Sequence, residues 1–148
     1  MKRFLCLALA AVLMLSMGVC AFADGPSPVA TEVKYLDNGY YIVTEIYSVQ
    51  TRAQQLTSGT AVQSLYSAGG DLVLTFEVHG TFKYNGSTCI ATLASYDYDI
   101  YASGWYFVSA SAWCEGNTAL ANGEFKHPLL GTIDTTVTLS CSPTGVLS

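Results

Sequence analysis

Apolar and polar residues alternate with a period of two through most of this chain. Leu72, Leu74, Phe76 and Val78 share one side of an extended segment, and Val73, Thr75, Glu77 and His79 share the other. That is the signature of a strand with one face against a core. The same rhythm predicts strands over Glu32–Leu36, Tyr40–Val49, Thr60–Ser67, Leu72–His79 continuing as Thr81–Tyr84, Thr88–Tyr96, Gly104–Cys114, Thr118–Lys126 and Thr132–Cys141. Turn chemistry separates them at Asp37-Asn38-Gly39, Gly69-Gly70-Asp71, Asn85-Gly86, Glu115-Gly116-Asn117 and between Pro128 and Gly131. Asn-Gly and Gly-Gly supply the positive φ angles of tight hairpins. Gly80 is expected to mark a bulge. Tyr98–Tyr101 extends or kinks the strand before it, and Gln50–Gly59 is polar and irregular, with Arg52–Leu56 expected to form a loop or one helical turn.

No segment of the chain after residue 23 carries the periodicity of a packing helix. Short strands joined by Gly-rich turns predict an all-β fold, an antiparallel β-sandwich, with a small β-barrel as the alternative. No repeat or linker divides the chain, so residues 32–148 are expected to form one domain after a flexible start at 24–31.

The first 23 residues break the pattern. Nineteen of them are apolar, behind a basic Lys2-Arg3 pair, and Ala21-Phe22-Ala23 fits the small-x-small cleavage rule. This predicts a signal peptide over 1–23, cut between Ala23 and Asp24, and export by the general secretory route. The apolar run is too short for a membrane anchor, so membrane contact is expected only through the leader before cleavage. Cys20 raises a lipoprotein as a rival, but Val19 stands where a lipobox wants a small residue. The style of the leader is bacterial, and the expected location is extracellular.

Cleavage changes the charge. Lys34, Arg52, Lys83 and Lys126 then face eleven acids, a formal charge of −7. Nucleic-acid binding needs clustered cations to displace counterions from phosphates; four scattered ones exclude that class.

Cys89, Cys114 and Cys141 remain after the leader, so export permits one disulfide and three pairings. Alternation points Cys141 inward, and Cys89 opens a strand just after a turn, which favours Cys89–Cys141. That bond would close a loop of 52 residues, worth roughly 4 kcal/mol in the chain-entropy model. Cys114 is then the free thiol. No Cys/His spacing suits zinc, and no metal or cofactor is expected.

Catalytic chemistry finds little support. The only histidines are His79 and His127, and no Gly-x-Ser-x-Gly elbow occurs. Asp97 and Asp99 share one face of an extended segment, a spacing that glycosidases or calcium sites use, but the simpler reading is a solvated turn. Tyr96, Tyr98, Tyr101, Trp105 and Tyr106 fall within eleven positions. Planar rings on a secreted sandwich are a natural platform for sugar faces, and Tyr96, Tyr98, Tyr101 and Trp105 are the candidate binding residues. Cross-strand packing is the competing use of the same rings.

Taken in order, Tyr84-Asn85-Gly86 before Cys89, Gly104-Trp105, Gly116-Asn117-Thr118-Ala119 and Leu139-Ser140-Cys141-Ser142-Pro143-Thr144-Gly145 resemble small secreted proteins of Firmicutes filed as domains of unknown function. The likeness covers roughly residues 30–148 and rests on turn and strand signatures. It implies an extracellular β-rich domain in which Cys89 and Cys141 fit a structural bridge, and it brings no activity. The expected function is a non-catalytic binding domain at the bacterial cell surface or exterior, for a cell-wall or host glycan. The alternative is a protein-interaction role with a surface protein, or a bacteriocin-like effector.

Overall fold

The computed structural model describes residues 27–51 and 55–148. The expected leader over 1–23, its expected cleavage site at Ala23 and Asp24, and residues 52–54 lie outside the described residues. Eight antiparallel strands make two sheets: β1 (Ala30–Tyr35), β2 (Tyr41–Thr51), β3 (Leu56–Tyr66), β4 (Leu72–Tyr84) and β5 (Cys89–Ile100) in one, β6 (Tyr106–Glu115), β7 (Thr118–His127) and β8 (Gly131–Ser140) in the other. Each sheet is a meander in chain order, because every link within it is a short hairpin. At the first of these, Gly39 has φ +83° and its N–H donates to Leu36 O at 3.0 Å.

The two sheets stack face to face and do not close into a barrel, so the sandwich is the architecture. β6 packs over β5, β7 over β4 and β5, and β8 over β3 and β4. Alternation decides what meets between them. Ala61, Leu65, Leu74, Phe76, Val78 and Phe82 point inward from the larger sheet, and Ala119, Ala121, Phe125, Val137 and Leu139 point inward from the smaller one. Phe76 and Phe125 meet edge to face at 5.7 Å, a favoured aromatic geometry. Five strands against three leave β1 and β2 overhanging. Gln63 ties the rim, donating to Thr136 O at 3.3 Å and accepting from the Thr135 hydroxyl.

Several elements differ from their sequence expectation. β1 begins at Ala30, so residues 30 and 31 belong to a strand rather than to a flexible start. β3 begins at Leu56, inside the stretch expected to be irregular. Thr57 and Gly59 there are small inward residues without an apolar signature, and they are buried by what packs on them. β5 runs straight through to Ile100. Gly80 itself pairs regularly on both sides; the register shift nearest to it lies between Thr81 and Phe82, where the extra residue is Thr92 of β5. Gly80 instead makes room, since a Cβ there would lie 2.7 Å from the Phe82 ring and 2.9 Å from Ala119.

The chain ends in a clasp. Ser140 and Ser148 exchange backbone hydrogen bonds, with Ser140 N to Ser148 O at 2.8 Å and Ser148 N to Ser140 O at 3.0 Å. Cys141 bridges Leu147, and Leu147 is buried.

Candidate functional site

The outward face of the larger sheet collects the side chains whose parity is opposite to the core. No strand among the described residues covers it. Register places Tyr35 opposite Tyr41 and Tyr41 opposite Tyr66, which makes a row of three tyrosines across β1, β2 and β3. Tyr41 and Tyr66 stack with centroids 4.9 Å apart and planes 9° from parallel, and Tyr35 leans on Tyr41 at 5.7 Å. The inner rings cover each other's faces and offer edges and hydroxyls. Tyr35, 76% exposed at the sheet edge, offers a ring face to solvent.

Two residue pairs along the strands, a second row runs Thr31, Glu45, Val62, Glu77 and Asp97, each opposite the next. Between the rows lie Val43, Ser64, Thr75 and Asp99. Ser64 and Thr75 are only 8% and 9% exposed although no strand lies over them. Their short side chains sit low between taller neighbours, so the face is a shallow trough with tyrosines on one bank and carboxylates on the other.

A polar network stiffens the acidic bank. The Tyr47 hydroxyl donates to Glu45 Oε2 at 3.2 Å. Thr60 Oγ1 and His79 Nδ1 share a hydrogen bond of 2.9 Å, and His79 Nε2 is 3.7 Å from Glu77 Oε2. Burial raises the Glu77 carboxyl above its usual range; His79 opposes this, while Asp97 and Asp99 add to it. Slight burial and the charges of Glu45 and Glu77 likewise raise the Tyr47 phenol. The surface is therefore rich in hydrogen-bond acceptors beside an aromatic strip. Among the described residues no group of three His, Cys, Asp or Glu side chains is arranged to hold a metal ion.

The four rings expected to form a platform do not share an exposed face. Tyr98 points inward and stacks on Phe107 at 4.4 Å, with planes 5° apart, and meets Phe125 edge to face at 5.8 Å. Trp105 is 8% exposed and lies 5.4 Å from the His127 ring. Tyr96 also points to the inner side, 6.0 Å from Phe76, and is partly exposed. Tyr101 lies past the end of β5 and is exposed. Tyr96 and Tyr98 share the parity that the core uses, and Asp97 and Asp99 take the other. The two acids consequently stand on a strand opposite Glu77 and Thr75 rather than in a solvated turn.

The tyrosine row escaped the sequence reading. Its signal was present, since Tyr35 and Tyr41 flank Asp37-Asn38-Gly39 at equal distances and a hairpin there must pair them. His127 has a structural task. Its Nδ1 accepts the N–H groups of Leu129 and Leu130, both at 3.2 Å, which fixes the turn before β8 and leaves the ring proton on Nε2. The Cys89 and Cys141 side chains are buried and Cys114 is exposed.

Comparison with known proteins finds no matching family model, curated protein or solved structure.

Proposed function

We propose that this chain is an exported binding domain that takes a glycan in the trough on the outward face of its five-stranded sheet. The observation that carries the reading is the pairing of the Tyr35, Tyr41 and Tyr66 row with the Glu45, Glu77 and Asp97 row across a floor of Ser64 and Thr75. Sugars have apolar C–H faces and a rim of hydroxyls. An exposed tyrosine face matches the first, and carboxylate, hydroxyl and phenol groups match the second. The formal charge of −7 after leader cleavage opposes phosphate-rich ligands and tolerates neutral polyols. Export rests on the leader pattern at residues 1–23 and places the domain where cell-wall or host glycans are met.

The test is retention of the purified protein on insoluble peptidoglycan, cellulose, chitin and mucin, with soluble sugars as competitors. Retention on one matrix, released by its own sugar, supports the reading. Failure on all of them, together with capture of a surface protein by cross-linking on intact cells, would replace it with the protein-interaction reading.

A further inference from the structure

Two buried thiols meet where three parts of the fold converge. The β6–β7 turn binds both of their strands: Ala91 N–H donates to Gly116 O at 2.9 Å, and Cys141 N–H donates to Asn117 O at 3.0 Å. The Asn117 side chain answers with a hydrogen bond of 2.8 Å to Cys141 O. Cys89 stands two residues before Ala91 on the inward side of β5, opposite Tyr84. Cys141 continues the inward parity of Val137 and Leu139 beyond β8. Their exposures are 9% and 1%, both are free thiols, and Cys141 Sγ donates to Ser142 O at 3.3 Å. Gly86 N–H, just before Cys89, donates to Pro143 O, just after Cys141, at 2.9 Å, so the chain on either side of the two thiols is drawn together. Cys114 is exposed near the end of β6.

We propose that Cys89 and Cys141 form a disulfide that joins the first strand residue of β5 to the C-terminal clasp and so staples the two sheets, with Cys114 left as a free surface thiol. The oxidant is a disulfide-bearing donor, a small disulfide or a thiol oxidoreductase, encountered outside the cytoplasm. One protein thiolate attacks the donor disulfide and releases one donor thiolate. The second protein thiolate then attacks the mixed disulfide, the S–S bond forms, and the other donor thiolate leaves. The two protein thiol protons end on the two donor thiols, so two protein thiols and one donor disulfide become one protein disulfide and two donor thiols. Burial of both sulfurs places the exchange during folding, or in a transient opening of the clasp over Ser142–Ser148.

The bond does a job that packing alone does less well. Cys141 pairs with Leu147, and Leu147 fills core space beside Gly59. Anchoring Cys141 therefore holds the whole chain end in place. The linkage also removes loop entropy from the unfolded chain across a long segment.

The experiment takes the purified protein after leader cleavage, refolds it from the reduced, unfolded state in oxidised glutathione, and then acid-quenches, unfolds, alkylates and maps it by peptide mass. The expected result is a Cys89–Cys141 peptide pair lighter by two hydrogens than its parts, with Cys114 alkylated. The Cys114→Ser variant is expected to give the same link, and reduction is expected to lower the thermal midpoint by about 10 °C. Separate alkylation of Cys89 and Cys141, or a link that includes Cys114, overturns the proposal. The Cys114→Ser variant keeps the test open if variants of the buried pair fail to fold.

Discussion

Leu147 occupies the space that a side chain at Gly59 would need. A Cβ at Gly59 would overlap Leu147 Cδ1 on one side and the Tyr47 carbonyl oxygen on the other. Residue 147 lies beyond the last strand, which ends at Ser140, yet it is 5% exposed, so the segment after β8 contributes to the core. Gly59→Ala is expected to lower stability by about 1–3 kcal/mol through overpacking. Leu147→Ala is expected to cost about 2–4 kcal/mol through the cavity it leaves. Urea denaturation of both single variants and the double variant measures this. A positive coupling between the two sites is expected, with incomplete rescue because the Tyr47 carbonyl stays in place.

Glu77 sets a pH dependence with a definite sign. Its carboxyl is raised in the folded state, first by burial and then by Asp97 and Asp99 against the opposing effect of His79. Between the ordinary carboxylate pKa and this higher one, the folded state binds more protons than the unfolded state. Stability therefore falls as pH rises through that window. Glu77→Gln removes the titrating group, so its thermal midpoint is expected to decline less than that of the wild type over the same window. Parallel curves for the two proteins would contradict this.

Most of the fold was legible because it depends on local rules. Period-two alternation and Asn-Gly or Gly-Gly turns are written in consecutive residues, and seven of the eight strands follow from them within a few residues. The start of β3 was not legible. Thr57 and Gly59 are small and weakly apolar, and their burial is supplied by Leu147 and neighbouring strands far away in sequence. The site was harder for the same reason. Parity shows that Tyr96 and Tyr98 face one way and Asp97 and Asp99 the other, but only the stacking of the second sheet decides which side is the core.

The ring assignments are separable by mutation. Trp105→Ala is expected to cost about 3 kcal/mol or more, because Trp105 is buried beside His127. Tyr101→Ala removes an exposed ring and is expected to change stability by under about 0.5 kcal/mol. Thermal or chemical denaturation decides between them, and equal costs would contradict the placement of Trp105 in the core.

The thiols are expected to differ in reactivity when the protein is reduced. Burial and the adjoining Cys89 push the Cys141 thiol up to about 12, so at neutral pH it stays protonated and unreactive. Cys114 is exposed. Iodoacetamide added to the native reduced protein is expected to label Cys114 first and Cys141 only after unfolding. Labelling of Cys141 as fast as Cys114 would contradict its burial.

The most direct measurement compares binding on the retaining glycan matrix for Tyr35→Ala, Tyr66→Ala and a control, Trp113→Ala, on the opposite sheet. A trough site predicts that Tyr35→Ala weakens binding several-fold, about 1 kcal/mol for one stacking ring. Tyr66→Ala should also weaken it by unsettling the row, and Trp113→Ala should bind as the wild type does. Unchanged binding in both tyrosine variants, or a loss confined to Trp113→Ala, would contradict the trough on the five-stranded sheet as the ligand site.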